Sequence, residues 1–247
     1  MDMYASGRAR RRKMYYDFYL NRHVGRMARM QAKYLVPALA APALKGLPSN
    51  PRVLEIGAGR GDFAEYLKGI DGGVRYTGIE GNEALCGRLA ERGFDVCRGI
   101  IPPFPEQLPK NEFDLVIMCH LFEHFRDWQE AAGVLGDISA LLKQGGRLLL
   151  FHPDFMDWKA DYFDGDYSHS LILTRNRVNN IVCDNGFKVI HADSFRSFFR
   201  RAKPLFYLLS KFMDLFFGAL LGMTGNRKYF KPKIAFKRNL LTVCEKV

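Results

Sequence analysis

The sequence predicts an α/β protein built on a mostly parallel sheet with helices on both faces. Three observations carry this. Short apolar runs alternate with helical patterns from residue 52 onward, and turn glycines separate them. Several runs, such as Leu115–Cys119 and Leu148–Phe151, are apolar at every position rather than at every second one. A strand of that kind is buried on both sides, as in a parallel sheet between two helical layers.

The elements follow in order. Residues 14–36 mix aromatics with Arg22, Arg26, Arg29 and Lys33 at helical spacing, which predicts a basic amphipathic helix ending near Pro37. Pro42, Gly46, Pro48 and Pro51 predict a linker. Arg52–Gly57 reads as the first strand, Asp62–Ile70 as a helix and Arg75–Glu80 as the second strand. Asn82–Arg92 is helical with Asn82 as N-cap, and Phe94–Cys97 is the third strand. After a proline-rich loop come a strand at Phe113–Cys119, a helix at Trp128–Lys143 stopped by Gly145-Gly146, and a strand at Arg147–Phe151. A helix at Thr174–Asn185, a strand at Phe187–His191 and a last strand at Asn239–Glu245 complete the series.

At 247 residues, 48% hydrophobic and 26% charged, the chain is of ordinary globular composition and long enough to bury its own core. Five cysteines, scattered and without a C-x-x-C pair, argue against a zinc or disulfide framework and fit a reducing, cytoplasmic compartment. The net charge of +11 is uneven. Residues 1–50 hold ten Lys/Arg against two Asp/Glu, and residues 196–247 hold twelve against two, while the centre is acidic. Basic ends around an acidic centre predict an anionic partner, either a membrane surface or a phosphate backbone.

The densest motif is Val53-Leu54-Glu55-Ile56-Gly57-Ala58-Gly59-Arg60-Gly61-Asp62. It leaves a strand and opens a helix, so its glycines let a ligand approach the backbone at the carboxyl edge of the sheet. Position 62 is aspartate where a dinucleotide fingerprint has its third glycine, and no Gly-Lys-Ser/Thr ending makes it a nucleotide P-loop. Glu55 suits a ligand with positive charge or donors. Glu80, ending the second strand, is placed to accept both hydroxyls of a ribose. A ribose with a cationic tail and no pyrophosphate describes S-adenosylmethionine better than a dinucleotide.

Glu55-x-Gly57-x-Gly59-x-Gly61, Glu80-Gly81-Asn82, Phe113-Asp114-Leu115-Val116-Ile117 with Phe122-Glu123-His124, and Leu142-Lys143-x-Gly145-Gly146 together resemble a class I S-adenosylmethionine-dependent methyltransferase, nearest to the small-molecule, lipid and glycan subgroup. The resemblance covers about residues 50–195 and the final strand. It implies a Rossmann-like sheet of seven strands with an antiparallel last strand and S-adenosylmethionine as cofactor. It further implies that Glu55, Gly57, Ala58, Gly59 and Gly61 hold the methionine portion, and that Glu80, Gly81 and Asn82 border the ribose. Ile100 would lie beside the adenine, with Cys119 and His120 lining the cofactor. The acidic residue such enzymes often carry after the third strand is replaced here by Arg98-Gly99-Ile100-Ile101.

Methyl transfer from a sulfonium is an in-line displacement, and a hydroxyl acceptor gains from a base of near-neutral pKa. His120 and His124 lie four apart, but no H-E-x-x-H pattern accompanies them and no metal site is predicted. The segment from His152 and Asp154 through Asp157, Asp161, Asp164 and Asp166 to His169 follows the fifth strand at the ligand edge. It suits a sugar-binding loop or a divalent-cation site, against the plainer reading of a solvated acidic loop. His169 is the predicted general base, with Asp154 or His152 as second choices.

Between the last two strands lies an apolar stretch, Pro204–Met223, with Tyr207, Lys211, Asp214 and Gly218 on one stripe and basic residues on both sides. It predicts either a lid on the sheet or an interfacial helix on an anionic membrane. The expected organisation is therefore a basic tail and helix (1–50), a cofactor-binding core (51–195), a basic apolar insertion (196–237) and a final core strand (238–247). The expected acceptor is a small molecule, glycan or lipid-linked intermediate, with peripheral membrane association. Nucleic acid is the weaker alternative, since Cys119-His120-Leu121-Phe122 stands where amino-methylating nucleic-acid enzymes carry Asn/Asp-Pro-Pro-aromatic.

Overall fold

A computed structural model describes residues 26–70, 73–196, 199–200 and 204–247. Nine α-helices and eight strands lie among the described residues. In chain order they are α1 (Arg26–Leu44), β1 (Arg52–Ile56), α2 (Asp62–Lys68), β2 (Arg75–Glu80), α3 (Glu83–Glu91), β3 (Asp95–Arg98), β4 (Phe113–Cys119), α4 (Trp128–Leu141) and β5 (Leu142–Pro153). Then follow α5 (Phe155–Trp158), α6 (Asp161–Gly165), α7 (Arg175–Asp184), β6 (Phe187–Arg196), β7 (Phe199–Arg200), α8 (Pro204–Thr224), α9 (Phe230–Ala235) and β8 (Arg238–Lys246).

The strands form one sheet in the order β3-β2-β1-β4-β5-β8-β6-β7. From β3 to β5 the neighbours are parallel, and β8 runs antiparallel between β5 and β6. The two-residue β7 turns back on the end of β6 and adds a short eighth strand to the seven expected. This is the Rossmann-like sheet the resemblance implies, with the last long strand reversed.

Period-2 geometry explains why the strands are apolar throughout. Leu54, Val116, Met118, Leu148 and Leu150 point to the face covered by α4 and α7, where Val134, Leu135, Ile138, Val178 and Val182 meet them. Their neighbours Val53, Leu115, Ile117, Leu149 and Phe151 point to the other face, against α1 and α2. Each fully buried Leu, Ile or Val contributes about 1.5–3 kcal/mol.

Three boundaries differ from the sequence reading. The described part of the first helix does not stop at Pro37 but runs through Pro37 and Pro42 to Leu44. Each proline removes one helical hydrogen bond, and burial of Val36, Leu39, Ala40 and Ala43 against the sheet outweighs the loss. Arg147 then donates to the Ala43 carbonyl at 3.0 Å and to that of Lys45 at 2.5 Å, capping the helix end. The part of the predicted helix before Arg26 lies outside the described residues. Gly145-Gly146 sits inside β5 at a register irregularity, not beyond a helix ending at Lys143. The strand expected at Phe187–His191 continues to Arg196 because β8 pairs with it along its whole length.

Candidate active site

The carboxyl ends of β1, β2 and β4 meet at one edge of the sheet. There the chain leaves β1 in a tight turn, and Gly57, Gly59 and Gly61 all adopt left-handed φ values of +78°, +56° and +77°. The first two amides after β1, those of Gly57 and Ala58, both donate to the Ile79 carbonyl, at 2.8 and 3.1 Å. A Cβ on Gly61 would stand 2.4 Å from Leu89 Cδ2, so glycine is required there for packing as well as for φ.

Glu80 ties this turn to the next. Its Oε2 accepts from Gly59 N and its Oε1 from Asn82 N, both at 2.7 Å, while its own carbonyl accepts from Gly99 N at 3.0 Å. Each carboxylate oxygen keeps a further lone pair for a ligand hydroxyl. Asn82 caps α3 by accepting from Leu85 N at 3.0 Å. A Cβ on Gly81 would come within 2.9 Å of Ile100 Cγ1, and the Ile100 side chain is exposed beside it.

Glu55 is buried at the base of the turn and accepts from the Tyr76 hydroxyl at 2.6 Å. Burial pushes its carboxyl from 4.5 up to about 8, only partly offset by that hydrogen bond. Cys119 ends β4 between the Glu55 and Glu123 charges, and burial holds its thiol well above the usual range, so it offers no thiolate.

Beyond β4 the chain forms one 3₁₀ turn, Phe122–His124, so His120 and His124 do not share an α-helical face. His120 has a left-handed φ of +51°, and its half-exposed ring packs edge-on against Phe151. Glu123 points inward and is completely buried. His120 Nδ1 stands 3.4 Å from Glu123 Oε1, a charge contact longer than a good hydrogen bond. Burial pushes the Glu123 carboxyl up, but the surrounding His120, His124 and His169 rings outweigh it and hold it at about 2.

His169 arrives from the segment after α6. Its Nδ1 lies 2.6 Å from the Tyr162 carbonyl, and its ring packs on Tyr162 and on His124, at centroid distances of 4.7 and 4.9 Å. Burial lowers the His124 pKa, against the raising effect of Glu123.

A family profile described as a methyltransferase domain matches residues 27–192, about two thirds of the chain. The chain belongs to this methyltransferase family. No curated protein matches the methyltransferase in sequence. Its fold is similar to that of a SAM-dependent methyltransferase from Archaeoglobus fulgidus (TM-score 0.64, 19% identity, 94% of this chain and 100% of the other). It is also similar to an S-adenosylmethionine-dependent methyltransferase from Mesorhizobium loti (TM-score 0.57, 16% identity, 85% and 96%). A third similar structure, the [4+2]-cyclase SpnF (TM-score 0.58, 15% identity, 86% and 79%), shows that this fold alone does not dictate the reaction.

The turn after β1 fits S-adenosylmethionine, the cofactor on which the two similar methyltransferases depend. The glycines leave a rim without Cβ atoms, Glu80 offers acceptors for two hydroxyls, and Glu55 is a buried carboxyl with no cation beside it among the described residues. A pH effect follows. The free methyltransferase holds a proton on Glu55 below about 8, whereas a cationic ligand favours the ionised form. Binding should then release a proton, with Kd falling up to about tenfold per pH unit below that value and levelling above it. The stability of the free protein falls between pH 4.5 and about 8, because the unfolded chain gives up this proton first. Calorimetric titrations of wild type and Glu55→Gln check this, and equal pH slopes in the two would refute it.

Two of the predicted catalytic residues lie at the carboxyl end of β5 but are already engaged there. His152 is completely buried, its Nδ1 facing the Pro153 carbonyl at 3.0 Å, and burial lowers its pKa. Asp154 caps α5 through Met156 N at 3.2 Å and accepts from Arg238 Nε at 2.5 Å, so its carboxylate is already used. Asp157, Asp161 and Asp164 of the acidic segment are paired within the chain rather than left to solvent. Asp157 accepts from Arg196 through both oxygens at 2.8 Å, from Lys211 at 2.7 Å and from Arg238 N at 2.8 Å. Asp161 pairs with Lys233 at 2.7 Å and Lys237 at 3.2 Å, and Asp164 with Arg227 at 3.4 Å. Much of the basic excess near the C-terminus thus finds its anionic partner within the chain.

Sequence reasoning gave Glu123 no role of its own. A single acid inside the apolar run Leu121-Phe122-Glu123-His124-Phe125 was the available sign of a buried charge.

Proposed function

We propose that this methyltransferase methylates a hydroxyl of a glycan or lipid-linked acceptor at a membrane surface. Glu55 and the 57–61 turn hold the methionine end of the cofactor, Glu80 with Gly81 and Asn82 the ribose, and Ile100, Cys119 and His120 the remaining edge. Bound there, S-adenosylmethionine supplies an electrophilic methyl group. His169, fixed by Tyr162 and packed edge-on against His124, is the side chain assigned to activating the acceptor hydroxyl.

The observation that carries the membrane half of this reading is that α8 is turned inside out. Its only charged residues, Lys211 and Asp214, face the protein, where they pair with Asp157 at 2.7 Å and Lys237 at 3.0 Å. Tyr207 lies under the Arg196 guanidinium, 5.0 Å from the ring centroid, and Gly218 faces the Lys233 side chain. The polar stripe read from the sequence is therefore the docking side. Leu208, Phe212 and Leu215 face outward, and Leu215 is 74% exposed. Tyr207–Thr224 is long and apolar enough to cross a membrane by length and composition. Its inward ion pairs favour a helix lying flat, apolar face in lipid and polar stripe on the enzyme.

The full-length protein should sediment with anionic vesicles at low salt. Replacing Leu208, Phe212 and Leu215 together by serine should lower the bound fraction at least tenfold while cofactor binding is kept, since each apolar side chain in lipid contributes on the order of 1.5 kcal/mol. Transfer of labelled methyl into a fractionated host extract tests the acceptor. Label in the organic-solvent or glycan fraction supports the reading, and label in nuclease-sensitive material would replace it with an RNA substrate.

A further inference from the structure

Glu123, His124 and His169 each offer one ligand atom, and the three atoms lie within 4.8 Å of one another. Glu123 and His124 are 46 and 45 residues from His169, so no local spacing announces the group. It forms because two amides following His169, those of Ser170 and Leu171, donate to the Glu123 carbonyl at 2.9 and 3.2 Å. The Glu123 carboxylate is fully buried, and neither of its oxygens has a hydrogen-bond partner among the described residues. Leaving an ionised carboxylate buried in this way costs several kcal/mol unless positive charge faces it.

The hydrogen bonds behind the two histidines fix how their rings are protonated. The Tyr162 carbonyl can only accept, so His169 Nδ1 carries the proton and Nε2 the lone pair. His124 Nδ1 lies 2.9 Å from Ser168 Oγ, and that hydroxyl gives its own proton to Asp166 Oδ1 at 2.6 Å. Ser168 therefore accepts from His124, and the His124 lone pair is again on Nε2. Histidines that ligate metals are characteristically held this way, with the second nitrogen donating to a carbonyl or an anchored polar group.

We propose that Glu123, His124 and His169 bind a divalent transition-metal cation, the imidazoles through Nε2 and Glu123 through its carboxylate. Two imidazoles and one carboxylate suit zinc or a neighbouring first-row ion better than magnesium or calcium. Three protein ligands leave a coordination position for a further oxygen, and the half-exposed His120 stands on the Glu123 side of the group. The inference touches the proposed function at one point, since His169 would then act on an acceptor hydroxyl as a ligand rather than as a free base.

The test needs neither acceptor nor turnover. The full chain, freed of any purification tag and of metal, is titrated calorimetrically with zinc and with manganese, and its metal content is measured after dialysis. One equivalent of zinc is expected, with affinity lowered at least 100-fold in His169→Ala and in Glu123→Gln. Ser168→Ala, which keeps all three ligands, should lose about 10–100-fold through the freed His124 ring. S-adenosylmethionine binding by the same samples reports folding. No stoichiometric zinc in wild type that binds cofactor normally, or equal zinc affinity in wild type and His169→Ala, would overturn the proposal. Zinc binding without label in a glycan or lipid fraction would leave it standing while the acceptor assignment fell.

Discussion

Asp157→Ala should lower the unfolding free energy by about 3–5 kcal/mol, the usual cost of stranding a buried charge. Asp157 and Arg196 are both at least nine-tenths buried, and the substitution removes both oxygens that the guanidinium grips at 2.8 Å. It also strips Lys211 and the Arg238 amide of their acceptor. Burial pushes the Asp157 carboxyl up, but Arg196, Lys211 and the Arg238 amide together hold it well below 3.8. Its contribution is therefore complete above that pH and is lost as the pH falls further. Urea unfolding at pH 7 checks the magnitude. Asp164→Ala is the comparison, because its contact with Arg227 is 3.4 Å long and exposed on both sides, which makes it worth about 0–1 kcal/mol. Equal losses in the two variants would mean that the cluster does not hold α8 in place.

Glu80→Ala should weaken S-adenosylmethionine binding by roughly 100-fold or more, with a smaller loss of stability. Each of its two bonds to a backbone amide is charge-assisted and worth about 1.5–3 kcal/mol, and about 1.4 kcal/mol corresponds to a tenfold change in affinity. Without the carboxylate, Gly59 and Asn82 lose the bridge between them and the ligand hydroxyls lose their acceptor. Glu80→Gln should recover little, since its NH₂ would face an amide donor. Isothermal titration with the cofactor reads the loss directly, and wild-type affinity in Glu80→Ala would remove Glu80 from the site.

The parts of this protein that were legible in its sequence are those whose causes are local. The buried, parallel character of β4 and β5 follows from runs apolar on both faces, and the turn after β1 from glycines whose left-handed φ leaves little alternative. The purpose of the acidic segment was illegible, because the partners of Asp157 lie 39 and 54 residues away and only the folded chain brings Arg196 and Lys211 to it. The prolines of α1 misled for the same reason: local propensity ends the helix, and contacts with distant strands continue it. His152 and Asp154 were plausible by residue type, and it took the three-dimensional packing to show that one is walled in and the other already paired.

β8 is the last strand in the chain, yet it sits between β5 and β6 with neighbours on both sides. A polypeptide still emerging from the ribosome would have the first five strands side by side and β6 waiting without its place in the sheet. The flanks of β5 and β6 would stay open throughout synthesis of the inside-out helix, when the sticky surfaces of both are uncovered together. Closure of the sheet thus waits for β8, and the start of that strand carries Arg238 and brings Lys237 to the aspartates after β5. Finishing the fold and fastening down α8 are in this way a single late event in the protein's assembly.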